Sequence, residues 1–159
     1  MSVELFRIDD RLIHGQVVVG WGQTLGIAFI VLVDDEVRAN DWEQELYRMG
    51  VPAQVGVIFA SVEEAAARMA EWQAEARRGI VLTGSVASMA QLAALTNGAV
   101  RRVNVGGVHY REGRRERLRY VFLTDQEAGL LQELGANGVE VTAQDVPTGT
   151  RVPLAGLIG

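Results

Sequence analysis

The segment Ala28–Val33 reads AFIVLV, six apolar residues in a row with no polar alternation. A strand with one wet face alternates, so an unbroken apolar run predicts a strand covered on both faces. Shorter runs repeat the pattern. Val3 to Ile8 reads as a first strand, Val55 to Ala60 as a third, Ile80 to Thr83 as a fourth, and Val103 to Val105 lies in a fifth. Tyr120 to Leu123 and Val139 to Thr142 are shorter and are expected nearer an edge.

Helical signals fall between these runs. Ser61-Val62-Glu63-Glu64 and Thr124-Asp125-Gln126-Glu127 are capping boxes, in which the two side chains satisfy the first free amides of a helix. Behind the first, Val62, Ala65, Ala66, Met69, Gln73 and Ala76 share one face. Behind the second come Leu130, Leu131 and Leu134, with Gly138 placed to end the helix in a left-handed turn. Further helices are expected over Gln16 to Leu25, Val37 to Met49 and Val86 to Leu95. The Met49-Gly50-Val51-Pro52 stretch marks a stop. Strands separated by helices predict an α/β fold: one doubly wound domain over residues 1–159, with a mostly parallel sheet covered by helices on both faces.

Composition removes several chemistries. With no cysteine there is no disulfide, thiolate metal site or thiol catalysis. All fifteen basic residues are Arg, so no lysine Schiff base or lysine-dependent P-loop can form. A net charge of −5 argues against general nucleic-acid binding. No basic segment followed by an apolar run opens the chain, so a cytoplasmic protein is expected. Gly20-Trp21-Gly22 begins like a dinucleotide fingerprint, but Leu25 stands where the third glycine belongs and the stretch lies inside an expected helix.

In open parallel sheets ligands bind beyond the carboxyl ends of the strands, where the strand order reverses. The loop after the first strand, Asp9-Asp10-Arg11-Leu12-Ile13-His14-Gly15, gathers residues suited to phosphoryl transfer. A neutral imidazole is a nucleophile near physiological pH. Arg11 offers a fixed charge and a planar fork that matches phosphate oxygens. Asp9 or Asp10 can hold one imidazole nitrogen of His14 and leave the other to attack. Gly15 permits close backbone approach, and a helix starting there points free amides at the same place. The plainer reading of His14 is a hydrogen-bonded structural histidine.

Arg7-Ile8-Asp9-Asp10-Arg11-Leu12-Ile13-His14-Gly15-Gln16-Val17 resembles the active-site signature of the enzyme IIB component of the bacterial sugar phosphotransferase system, mannose/fructose/sorbose family. Val103-Asn104-Val105-Gly106-Gly107-Val108-His109-Tyr110-Arg111-Glu112-Gly113 resembles its Asn-Val-Gly-Gly segment, and Asp34-Asp35-Glu36-Val37 its strand-end acidic motif. The resemblance implies that His14 accepts a phosphoryl group from a phosphohistidine of the IIA component and passes it to a sugar held by the membrane IIC and IID components. It gives Arg11 the transferring group to stabilise, with Asp9 and Asp10 beside it, and places Gly15, Gln16, Gly106 and Gly107 around the phosphate. No metal or organic cofactor is expected, and a homo-oligomer is compatible with the chain.

Other readings stand beside this one. Phospho-His14 could be a regulatory signal in a protein without a sugar permease, and a metal hydrolase using His14, His109 and Asp9 is a more distant alternative. Gly106-Gly107 serves equally as a tight turn. For Trp21, burial against the sheet outweighs partner contact, and His109 reads as structural. Five arginines and two glutamates between Arg111 and Arg119 predict a solvated hairpin or loop, or a docking patch for an acidic partner.

Overall fold

The computed structural model describes residues 2–159, apart from the side chain of Gln16. Nine strands are described: β1 Val3–Ile8, β2 Phe29–Val33, β3 Gly56–Ala60, β4 Gly79–Thr83, β5 Arg102–Val105, β6 Arg115–Leu118, β7 Val121–Leu123, β8 Glu140–Ala143 and β9 Val152–Pro153. The helices are α1, π-helical over Gln16–Gly22 and α-helical over Gln23–Leu25, then α2 Asp35–Arg38, α3 Asp41–Met49, α4 Val62–Gln73, α5 Val86–Leu95 and α6 Asp125–Ala136.

Seven strands form one sheet in the order β3-β2-β4-β1-β5-β8-β9. Every pairing is parallel except the last, where β9 runs antiparallel to β8. The unbroken apolar runs take the interior positions: all five residues of β2 and of β4 are buried. Helices α4, α5 and α6 pack on one face through Met69, Trp72, Met89, Leu92 and Leu131. On the other face α1 packs through Val17, Val18 and Trp21 over Ile30, Leu32, Ile80 and Leu82, with Val37 and Tyr47 alongside.

The expected helix Val37 to Met49 is two helices. Asp34 caps α2 by accepting from the Val37 amide, and Asn40 caps α3 by accepting from the Glu43 amide. Two capping side chains six residues apart impose two starts. Both capping boxes are present, but α4 ends at Gln73, so Trp72 rather than Ala76 completes its buried face. The Tyr120 to Leu123 stretch is not at an edge of the main sheet. Its core, β7, pairs with β6 in a separate two-stranded antiparallel sheet.

The connections fix where a site can form. From β1 the chain crosses by α1 towards β2, and from β5 it passes by way of α6 to β8, on the opposite side and over the opposite face. The strand order therefore reverses between β1 and β5, and the loops after those two strands part around a crevice.

Candidate functional site at the β1–β5 crevice

At the end of β1 the chain turns sharply. The Leu12 amide donates to the Asp9 carbonyl at 3.0 Å, and Leu12 itself takes a left-handed conformation with φ +60°. That conformation costs an ordinary side chain about 1–2 kcal/mol and is held here by the surrounding packing. The turn brings His14 back over the strand end, and α1 starts immediately after it. Gly15 stands at the helix start, and among the described residues beyond its chain neighbours no atom lies within 4 Å of the position a Cβ would occupy. Open space, rather than a tight approach, is what glycine supplies there.

Asp9 is the hub of the site and is fully buried. Its Oδ2 lies 3.3 Å from His14 Nε2, 2.8 Å from Arg11 Nη2 and 3.2 Å from Arg7 Nη2. Its Oδ1 accepts from Arg11 Nε at 2.9 Å and from the Arg11 amide at 3.2 Å. Burial acts to raise the carboxyl's pKa. The close contact with His14, hydrogen bonds from Arg11 and the charges of Arg7 and Arg11 outweigh it and hold Asp9 well below the usual carboxylate range. The carboxylate is thus a permanent anion against one nitrogen of a ring whose side chain is 18% exposed. Arg11, about one-third exposed, carries positive charge at the rim and also reaches Asp145 at 3.6 Å.

Beneath them lies Arg7, on the inward side of β1 with no solvent exposure. It donates through Nη1 to Asn104 Oδ1 and to the Gln144 carbonyl at 2.9 Å, and through Nη2 to the Asp145 carbonyl at 2.9 Å. Its guanidinium stacks on Trp21, 5.0 Å from the ring centroid. Burial depresses its pKa, partly offset by Asp9. Arg7, Asn104 and Asp145 were not singled out from sequence. An arginine between Phe6 and Ile8 at the buried end of β1 was the available signal, because a buried guanidinium needs a nearby carboxylate.

The glycine pair after β5 is explained by the same cluster. A Cβ on Gly106 would lie 2.2 Å from Arg7 Nη2 and 2.7 Å from Asp9 Oδ2, and one on Gly107 would lie 3.1 Å from Arg11 Nε. The Gly107 carbonyl accepts from the Asp10 amide at 2.8 Å, which ties the two loops together.

Asp10 does not face His14. Its carboxylate accepts from the His109 amide at 2.7 Å and meets His109 Nδ1 at 2.5 Å. The choice between the two aspartates thus falls to Asp9, and His14 and His109 are held by different carboxylates. The side chain of Gln16 lies outside the described residues; its backbone opens α1. Trp21 is buried, as expected. The Arg111–Arg119 segment runs into the β6–β7 hairpin and is largely exposed, as expected, with two arginines tied down. Arg114 pairs with Glu127 at 2.9 Å and donates to the His109 carbonyl, and the Arg117 side chain is 3% exposed beside Asp125. Asp34 and Asp35 have structural roles, capping α2 and accepting from the Val62 amide.

A histidine held by a buried carboxylate beside an arginine thus stands at the strand end. The family model described as the PTS system sorbose subfamily IIB component matches residues 3–159. The chain belongs to that family. As a IIB component it has a phosphotransfer role in the sugar phosphotransferase system, whose IIB components work with IIA and with a membrane IIC/IID permease. Among its relatives is the N-acetylgalactosamine-specific phosphotransferase enzyme IIB component 1 of Escherichia coli K12, 34% identical over 92% of each chain. The mannose-specific EIIAB component of the same organism is 29% identical, and the match covers 99% of this chain and 49% of that protein. The crystal structure of the IIB domain of the sorbose permease from Klebsiella pneumoniae superposes with a TM-score of 0.89 at 27% identity, covering 98% of this chain and 96% of that one. The doubly wound α/β fold expected from the sequence is therefore the fold of the family. Among the described residues no helix is long and apolar enough to cross a membrane.

Proposed function

We propose that His14 is the phosphoryl carrier of this IIB component, accepting the group from a phosphohistidine of a IIA component and passing it to a sugar held by membrane IIC and IID components. The observation that carries this is the contact between Asp9 Oδ2 and His14 Nε2. A fixed carboxylate there keeps the proton on Nε2 and makes Nδ1 the attacking nitrogen. As the N–P bond to the donor breaks and the bond to Nδ1 forms, the ring becomes cationic, and Asp9 stabilises that charge without taking the proton. Arg11 supplies positive charge where the loose transition state spreads negative charge over the phosphoryl oxygens. The return step breaks the bond to Nδ1, whose electron pair returns to the ring and leaves it neutral, and forms one to a sugar hydroxyl, whose proton passes to solvent. A relative whose name joins the A and B letters supports IIA as the donor. The open ground at Gly15 supports access by a partner protein. These partners place the protein in the cytoplasm, at the membrane when IIC and IID are engaged.

The test is phosphorylation from phosphoenolpyruvate through the general phosphotransferase proteins and a cognate IIA. An acid-labile, base-stable phosphoryl group on Nδ1 of His14 is expected, absent in His14→Ala. Arg11→Ala should stay folded and lose roughly 100-fold or more in transfer rate. A fully phosphorylated His14→Ala protein would end the proposal, and undiminished transfer by Arg11→Ala would remove that residue's role.

A further inference from the structure

The helices do not cover the sheet evenly. On the α1 face, β1, β5 and β8 have no helix above them beyond Trp21 and Leu25 of α1, and the uncovered strip forms a cavity of about 490 Å³. That volume suits a small molecule. The cavity is not an apolar groove awaiting a helix, because its floor is polar. Asn104, Thr142 and Gln144 line it on alternate positions of neighbouring strands, and Asn104 and Gln144 are each more than nine-tenths buried.

One buried donor in this lining has nothing to donate to among the described residues. The Trp21 side chain is 6% exposed, and its indole N–H makes no hydrogen bond among the described residues. Asn104 accepts from Arg7 through its oxygen, and its amide nitrogen, which is open to solvent, is left for a ligand. A buried donor left unpaired costs about 1–3 kcal/mol, so a ligand able to accept from the indole gains by entering. At the rim, Arg101, Arg102 and Arg151 outnumber Glu4 and Glu140. The lining is rich in donors and positive at its mouth.

We propose that this cavity binds a phosphorylated monosaccharide, its hydroxyls accepting from Trp21 and Asn104 and its phosphate lying against the rim arginines. The size and donor-rich character favour an acceptor-rich anion of that class, independently of which histidine carries phosphate. The site is distinct from the crevice but touches it through the chain of contacts Asn104–Arg7–Asp9–His14.

Titration of the full-length, ¹⁵N-labelled protein with glucose 6-phosphate tests this, with glucose and inorganic phosphate as comparators. The expected result is saturable movement of the Trp21 indole and Asn104 side-chain amide signals, with a Kd in roughly the millimolar range or tighter. Glucose and phosphate should each fail to reproduce it. Thr142→Tyr, which fills the floor, should abolish the response. The exposed rim change Arg151→Glu should weaken it about tenfold and keeps the test decisive if Thr142→Tyr does not fold. The proposal is overturned by the absence of movement at both signals or by an equal response to inorganic phosphate or glucose. Movement confined to the His14 loop, unchanged affinity in Arg151→Glu, or signals that shift with protein concentration alone, as a second copy covering the strip would cause, also overturn it.

Discussion

Asp9 is where the residue scale decides both stability and chemistry. One carboxylate neutralises a fully buried guanidinium, fixes Arg11 and orients His14. Removing one partner of such a buried cluster leaves charge uncompensated, which costs about 3–5 kcal/mol. Asp9→Asn keeps the shape and should therefore lose stability of that order at pH 7, read as a fall in the urea midpoint. Acid gives a second reading. Because its partners hold Asp9 below the ordinary carboxylate range, the folded chain takes up that proton less readily than the unfolded one. Its contribution is whole above roughly pH 4 and is lost as the pH falls through the depressed folded value. The stability of Asp9→Asn should depend less on pH in the acid range than that of the parent. An identical acid profile would mean that Asp9 is not the ionised centre described. His14 and Arg11 were legible in the sequence as an exposed type of chemistry in a loop. Arg7 was not, because its role depends on Asn104 and Asp145, which lie some hundred positions away in the chain and meet it only after the sheet has formed.

At the scale of the element, the two loops at the crevice act as one piece. Gly106 is the point of closest approach, since a Cβ there would occupy space held by Arg7 and Asp9. Gly106→Ala should force the β5 loop outwards, costing about 1–3 kcal/mol for the overpacking itself and more if the Arg7–Asp9 contact breaks. Unfolding in urea together with the rate of phosphoryl acceptance checks it. Both should fall, and an unchanged rate would separate the glycine from the site. The sequence showed these glycines as either a phosphate loop or a turn, and could not show that what they accommodate is a buried arginine. Local signals read better. Both capping boxes and the left-handed Gly138, with φ +91°, lie where side-chain chemistry within four residues dictated. The break between α2 and α3 was equally local, written in Asn40, but was hidden by a hydrophobic pattern that runs across it. The π register of α1 carried no sequence signal, because the same residues suit an α-helix.

For the whole molecule, uneven covering of the sheet predicts uneven stability. β2 and β4 are buried on both faces and hydrogen-bonded on both edges. β8 lies beside the uncovered strip, and its outer neighbour β9 is only two residues long and ends in Pro153. A proline lacks the amide that would recruit another strand, which suits an edge, but it also leaves that edge thinly bonded. Opening of β8 and β9 should need less free energy than opening of β2 and β4, whose amides should exchange only on global unfolding. In hydrogen exchange at neutral pH, amides of Ile30–Val33 and Ile80–Leu82 should be the slowest in the protein, with Val141–Ala143 ahead of them. The same gradient bears on the carrier histidine. Asp9 is anchored through Arg7 to the Gln144 and Asp145 carbonyls, just beyond β8. Loosening of that edge by a Val152→Gly change should thus speed exchange at Gln144 and also slow phosphoryl acceptance at His14, while leaving β2 and β4 protected. If β8 exchanges as slowly as β4, the sheet opens as a single unit and the site has no softer side.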